Sequence, residues 1–398
     1  MRSDLSAKTA TERAAAPSSF PRLSFRQKCK RLLAESLFHS RSLQFLRHWE
    51  GSLALRFERG SRVPQFRRFT RSKFGILCYH RVGTEGAPYH SRLDPRIFDA
   101  QLSYLKRNYR LVPLSQMCQE LQDDSAVPPT LAITFDDGYR DLYTHAFPTL
   151  RRLQVPATIY LIGECMRTGI APWYDRVFSA IHSAPGTTLE VCLETPQIFK
   201  IDSPESRSLV AWTIVCYLRS LPDEDRREWC TNFERCHPAR EEELQNCMLD
   251  WAEVREMSQA GISFGAHTWT HPSVSRLSTE AMDRELGETR AFLEAALQTE
   301  IGDFAYPFGK PEDCSALAES FLSRSKYRSA VTTSEGINTS ATHPLRLRRL
   351  QIGEETSLPM FAFALTKMFL ESIDGAPFQT RESIETPRHI GKSVRELN

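Results

Sequence analysis

Three short stretches carry the side chains best suited to hydrolytic chemistry. Thr134-Phe135-Asp136-Asp137-Gly138-Tyr139 sets two carboxylates side by side. Like charges repel, so such a pair persists best when a metal ion or a proton divides its tasks. Taken alone, Asp-Asp-Gly is a common turn. His267-Thr268-Trp269-Thr270-His271 spaces two imidazoles four residues apart, close enough to reach one ion from a helix face or a tight loop. A zincin needs Glu after the first His, and Thr268 in that place excludes it. Phe304-Ala305-Tyr306-Pro307-Phe308-Gly309 is an apolar run ending in a turn, generic by itself. One Asp and two His make the ligand set of a catalytic zinc site with a water in the open position.

Each of these stretches closes a short β-rich run: Leu131–Phe135, Ile262–Ala266 and Asp303–Tyr306. Gly75–His80, Ala157–Ile162, Ser329–Thr332 and Leu345–Ile352 have the same character. Helical patterns lie between them at Pro95–Asn108, Tyr139–Leu153, Trp251–Ala260, Thr279–Leu297 and Glu312–Ser325. The fourth is the clearest: Ser278 suits an N-cap, and Met282, Leu286, Leu293 and Leu297 keep one apolar stripe. Strands alternating with helices argue for an α/β fold with a largely parallel sheet. In barrels the rim at the strand C-termini builds the active site, and all three motifs fall there. The chain of 398 residues has room for a barrel of about 250 residues. The stretch from about 168 to 250 interrupts the rhythm and reads as a helical insertion.

The order TFDDGY, FGAHTWTHPSVSRLS, FAYPFG resembles the NodB-homology polysaccharide deacetylases, over about Lys73 to Ile352. The resemblance implies a distorted (β/α) barrel, a divalent metal that is most often zinc, and hydrolysis of N-acetyl groups on amino-sugar glycans. Carried over residue by residue, it makes Asp136 the general base and Asp137 a metal ligand, with His267 and His271 as the other ligands. The backbone N–H of Phe308 falls at the family's oxyanion donor, since Pro307 has no N–H. Two positions depart from the family pattern. Ala305 stands where many members have the arginine that holds the base, and of Arg346, Arg348 and Arg349 we favour Arg349 as the substitute. No apolar strand ending in a general-acid His occurs near the C-terminus, but Gly75-Ile-Leu-Cys-Tyr-His80 has that form. This order resembles the circularly permuted poly-N-acetylglucosamine deacetylases and makes His80 the acid, with His343 next in line. Trp173 and Trp269 read either as sugar-stacking faces or as packing. A metal amidohydrolase of a small non-sugar amide and an inactive carbohydrate-binding homologue are the alternatives.

The domain reading has a basic extension at 1–72, the barrel at 73–355 and a C-terminal helix and tail at 356–398. Residues 1–73 hold 17 Lys+Arg against 5 Asp+Glu, a balance of +12 that the rest of the chain offsets with −10. Between about 25 and 70 these charges mix with Leu, Phe and Trp, which suits helices packed on the barrel or a peripheral membrane contact. No nucleic-acid-reading motif accompanies the charge, so no nucleic-acid partner is expected. No apolar leader and no run of about 18 apolar residues occurs, so neither a signal peptide nor a transmembrane helix is expected. Ten cysteines without a framework spacing read as reduced thiols of a cytoplasmic protein, and Cys230, Cys236, His237 and Cys247 fit no zinc template.

Overall fold

The computed structural model describes residues 73–371, except 85–91 and 124–126, together with Ala34, Glu35 and Phe38. Among the described residues ten strands follow in chain order: β1 (Phe74–Tyr79), β2 (Arg110–Leu111), β3 (Thr130–Phe135), β4 (Thr158–Leu161), β5 (Thr188–Cys192), β6 (Pro196–Lys200), β7 (Ser263–Ala266), β8 (Asp303–Ala305), β9 (Ser329–Val331) and β10 (Leu350–Gln351). The main sheet runs β10-β1-β3-β4-β7-β8-β9, with β2 paired to β3, and every pairing in it is parallel. Leu347 bridges Val331 while Leu350 pairs with Leu77. One short segment therefore touches both edges of the sheet and closes its curl. All seven runs expected as strands belong to this sheet, and the fold is the expected α/β barrel. Every residue of β1, β3 and β4 is buried. Helices cover the outer face and side chains fill the inner one, so these strands read as continuous apolar runs.

Local chemistry sets the helix limits. Asp94 caps Pro95–Asn108 by accepting the Arg96 N–H, Pro95 opens the first turn, and Lys106 and Arg107 face the negative end of the dipole. The helix Leu358–Glu371 packs on β1 at Gly75, where a Cβ would lie 2.5 Å from Leu131 and 2.7 Å from Met368. Two long helical patterns contain wider π turns, at Leu142–Ala146 and at Asp283–Glu288. The second interrupts Thr279–Leu297 and holds the buried Glu285. The run Leu345–Ile352 becomes a 3-10 turn, Pro344–Arg346, and the two-residue β10.

The insertion corrects one expectation. It holds the helices Trp173–Ser183, Pro204–Ser220 and Asp223–Cys236, but also an antiparallel hairpin of β5 and β6. In β5 exposed and buried residues alternate, with Leu189 and Val191 facing inward. That is a period of two, and the charged surroundings mask it in the sequence. Val177, Ile181, Leu189, Ile214 and Phe233 belong to a core of its own, separate from the barrel core. The basic stretch of about 25–70 lies outside the described residues, except that Ala34 is buried and the Phe38 ring is 6.1 Å from Tyr104. No helix among the described residues is long and apolar enough to cross a membrane.

Candidate active site

Strand register puts the first two groups together. Tyr79 of β1 pairs with Phe135 of β3, and the Asp136 N–H donates to the Tyr79 carbonyl at 3.0 Å. The next residues, His80 and Asp136, therefore leave the sheet side by side, with Nε2 4.0 Å from Oδ2. Arg349, one residue before β10, reaches the same carboxylate from the other side of β1. Its Nη1 and Nη2 donate to Oδ1 and Oδ2, each at 2.7 Å. Its Nε donates to the Thr332 carbonyl and Nη1 also reaches the Thr134 hydroxyl. A fully buried guanidinium is stable only when its donors are used, and here they grip a carboxylate in a two-point fork. Burial alone would push the Asp136 carboxyl up, but the Arg349 charge and hydrogen bonds outweigh it and hold it at about 2. The buried Cys78 thiol lies 3.5 Å from Asp136 Oδ2, and burial pushes its pKa up.

Asp137 has a different environment. Its Oδ1 lies 3.5 Å from His267 Nε2 and 3.5 Å from His271 Nε2. Two tetrahedral ligands about 2.1 Å from a zinc ion lie about 3.4 Å apart, so these spacings suit one ion. His267 Nδ1 lies 2.8 Å from the Ala305 carbonyl. That contact fixes the tautomer with the proton on Nδ1 and leaves the Nε2 lone pair for a metal. Burial, followed by the His267 charge, pushes His271 down to about 3, so its imidazole is neutral and able to coordinate. The donor set of one carboxylate and two imidazoles fits zinc, which would take the place of the proton that Asp137 and Asp136 favour on His267 against its burial. Among the described residues the other gathered group is Cys78, His80 and Asp136, whose carboxylate Arg349 already occupies. Cys230, Cys236, His237 and Cys247 do not form such a group.

Phe308 follows β8 with φ at 59°, in the left-handed region that costs a residue with a Cβ about 1–2 kcal/mol. The Thr333 hydroxyl donates to the Phe308 carbonyl at 2.7 Å, and the Thr333 N–H donates to the Gly309 carbonyl at 2.8 Å. The Phe308 ring sits 5.0 Å from the His271 ring. Asp137, Thr268 and His271 are also left-handed, at 73°, 61° and 59°. The strained positions thus include two of the three prospective ligands and the prospective oxyanion donor. Glu285 supports the loop that carries His267 and His271. Its Oε2 accepts the Trp269 and Thr270 N–H groups at 2.8 Å each, and its Oε1 accepts the Thr270 hydroxyl at 2.9 Å.

The insertion lies against the same loop. Trp173 Nε1 donates to the His271 carbonyl at 3.1 Å, and the Tyr174 ring is 4.9 Å from the His271 ring. Trp173 is buried and offers no face to a sugar, which corrects the stacking reading in favour of packing. Trp269 packs edge-on to Phe292, and a Cβ on Gly163 would come within 2.4 Å of its ring. His343 lies away from the site, capping the turn Pro344–Arg346, with its side chain 4.0 Å from Glu319. Glu285 and Tyr174 were not singled out by sequence. Glu285 has one weak signal, a carboxylate on the buried stripe of a helix, and Tyr174 has none.

A family profile described as polysaccharide deacetylase matches residues 123–322, half of the chain. A 95-residue stretch is 33% identical to YxkH of Bacillus subtilis strain 168, named a polysaccharide deacetylase, and covers 23% of this chain and 33% of that one. A 98-residue stretch is 29% identical to the poly-beta-1,6-N-acetyl-D-glucosamine N-deacetylase of Escherichia coli K12, covering 24% of this chain and 15% of the relative. The matched stretches thus span a third or less of those relatives. Among solved structures, the Streptococcus pyogenes deacetylase PplD in complex with acetate superposes with a TM-score of 0.51 at 20% identity. That match covers 76% of this chain and 99% of PplD, and shows the same fold. With the profile spanning both the paired carboxylates and the two histidines, the chain belongs to the polysaccharide deacetylase family.

Proposed function

We propose that the protein hydrolyses N-acetyl groups of an amino-sugar glycan, with zinc as the metal. The observation that carries this reading is the division of work between adjacent carboxylates. Asp137 faces two imidazole nitrogens, while Asp136 is forked by Arg349 and neighbours His80. Zinc at Asp137, His267 and His271 would supply a Lewis acid for the acetamide carbonyl and acidify a water. Asp136, ionised above about 2, stands ready to accept a proton. It is a weak base, so the water it deprotonates must itself be made acidic, which is why Asp136 needs a metal site next door. The Phe308 N–H donates to the oxygen that gains negative charge. The amide C–N bond then breaks, acetate leaves with the oxygen of water, and His80 delivers a proton to the departing amine. His80 is the most exposed of these groups, with 42% of its side chain open, as a residue meeting the bulky leaving sugar should be.

The name of the Escherichia coli relative and the placement of His80 directly after the first barrel strand make β-1,6-linked N-acetylglucosamine the first glycan to test. Acetate release from β-1,6 and β-1,4 oligomers and from peptidoglycan fragments, by zinc-loaded full-length protein, checks the reading. Release from one of these glycans is expected. Release only from small non-sugar amides would favour the amidohydrolase, and no release from any substrate by zinc-bound protein would leave the inactive carbohydrate-binding homologue. We place this activity in the cytoplasm, with a peripheral membrane contact through about 25–70. All nine described cysteines are free thiols, which supports a reducing compartment, and the +12 balance supports the contact. Salt-sensitive co-sedimentation with anionic but not neutral vesicles is the expected result for that segment.

A further inference from the structure

One arginine of the insertion is connected to both catalytic loops. Arg219, near the end of Pro204–Ser220, forks its Nε and Nη2 onto the Asp313 carboxylate at 2.9 and 2.5 Å. Asp313 is buried, and it also accepts the Ser273 hydroxyl at 2.7 Å and the Lys310 N–H at 3.0 Å. Ser273 lies two residues after His271, and Lys310 two residues after Phe308. A single carboxylate thus ties together the end of the metal loop, the end of the Phe308 loop and the insertion. The Arg219 guanidinium also lies 4.9 Å from the centre of the Phe308 ring, within cation–π range. Most of the Arg219 side chain is shielded from water, so these interactions are poorly screened.

Phe308 needs such support. A phenylalanine has no intrinsic preference for the left-handed region, so its φ of 59° must be imposed from outside. Thr333 holds the carbonyl side of the turn through the Phe308 and Gly309 oxygens. The ring side is held by His271 and Arg219. We propose that Arg219 is a positioning residue: its fork on Asp313 and its contact with the Phe308 ring keep the Phe308 N–H where the oxyanion forms. This rests on the deacetylase reading, and it makes the insertion a working part of the catalytic rim.

Full-length Arg219→Ala and Arg219→Lys, loaded with zinc, provide the test. Removing an oxyanion donor outright costs about 10²–10³-fold in kcat, so losing its placement should cost about 10–100-fold. In Arg219→Ala the loss is expected in kcat with KM nearly unchanged, and with zinc content and Tm retained. Arg219→Lys keeps a cation near the ring without the fork and should recover part of kcat. Hydrogen exchange gives a readout free of activity: peptides spanning 304–310 should exchange faster in Arg219→Ala, while those spanning 131–138 stay as in the wild type. An unchanged kcat, or a loss that tracks zinc release, overturns the proposal. If wild-type protein releases no acetate from any glycan, the deacetylase reading has failed and exchange alone decides: unchanged exchange at 304–310 overturns the positioning role, and faster exchange sustains it.

Discussion

The barrel and the insertion meet at the same rim but bring different things to it. The barrel brings the clustered titratable groups: Asp136, Asp137, His80, His267, His271 and Arg349 all stand at or beside its strand ends, and all but His80 are buried. The insertion brings contacts from outside the loops, through Trp173 on the His271 carbonyl, Tyr174 on the His271 ring, and Arg226 on the Thr270 hydroxyl at 3.2 Å. Charged groups that must be held to within about 0.5 Å of a working geometry need a backbone fixed on both sides, and a parallel sheet provides it. Loops that leave that sheet in strained conformations need bracing, and a separate small core can supply it. Of the eight left-handed non-glycine residues among those described, four lie in the three motif loops. Of the others, Gln154 and Gln298 are ordinary helix ends. Strain is therefore concentrated where the two parts meet.

Substitutions on the barrel side should have the largest effects. Asp137→Asn should lose bound zinc and with it all measurable turnover, read by metal analysis of the purified protein, while the barrel stays folded. Next comes Arg349→Met. Breaking a buried ion pair by removing one partner costs about 3–5 kcal/mol, seen as a fall in Tm. With its cation gone, burial pushes the Asp136 carboxyl up, so the acid limb of kcat should move to higher pH. The sign in the wild type is the reverse. A carboxyl held at about 2 in the folded protein stabilises the fold above its ordinary unfolded value of about 4, and that stability is lost as pH falls from about 4 to 2. A flat pH dependence in Arg349→Met would show that Asp136 is not the titrating base.

Smaller effects should come from residues that hold the His267–His271 loop without belonging to the proposed ligand set. Glu285→Ala strands two buried N–H groups and should weaken zinc binding about 10–100-fold by competition with a chelator. Glu285→Gln keeps an oxygen for both N–H groups and can donate to the Thr270 hydroxyl, so it should stay within a few-fold of wild type. Trp173→Phe keeps an aromatic ring, leaves a small cavity and loses one hydrogen bond to the His271 carbonyl, the last worth about 1 kcal/mol, and should cost a few-fold in zinc affinity. A loss from Trp173→Phe as large as that from Glu285→Ala would erase the distinction between a barrel that carries the site and an insertion that braces it.

The barrel was legible because its signals are local. Seven apolar runs are bounded by turns, and each of the three motifs can be read within ten residues of the run that it ends. Arg349 was reachable through a deficit, because Ala305 stands where the family resemblance expects an arginine, and of three nearby arginines Arg349 is the one that forks Asp136. Register was not legible. Nothing in the sequence pairs Tyr79 with Phe135, and the neighbourhood of His80 and Asp136 follows from that pairing. The fork of Arg219 on Asp313 spans 94 residues, and the contact from Trp173 to the His271 carbonyl spans 98. Such contacts have no period and no spacing rule. The β5–β6 hairpin had one, the alternation of Leu189 and Val191, but the exposed Ile198 on its partner breaks the pattern.

The most direct measurement is acetate release from β-1,6-linked N-acetylglucosamine oligomers by zinc-loaded full-length protein and by its Asp136→Asn variant. The wild type should release acetate in step with free amine. Asp136→Asn should keep its zinc and fall by about 10²–10⁴-fold, the share that a positioned base contributes. Equal turnover by both proteins, or a loss explained wholly by missing zinc, would contradict the separation of base and ligand between Asp136 and Asp137.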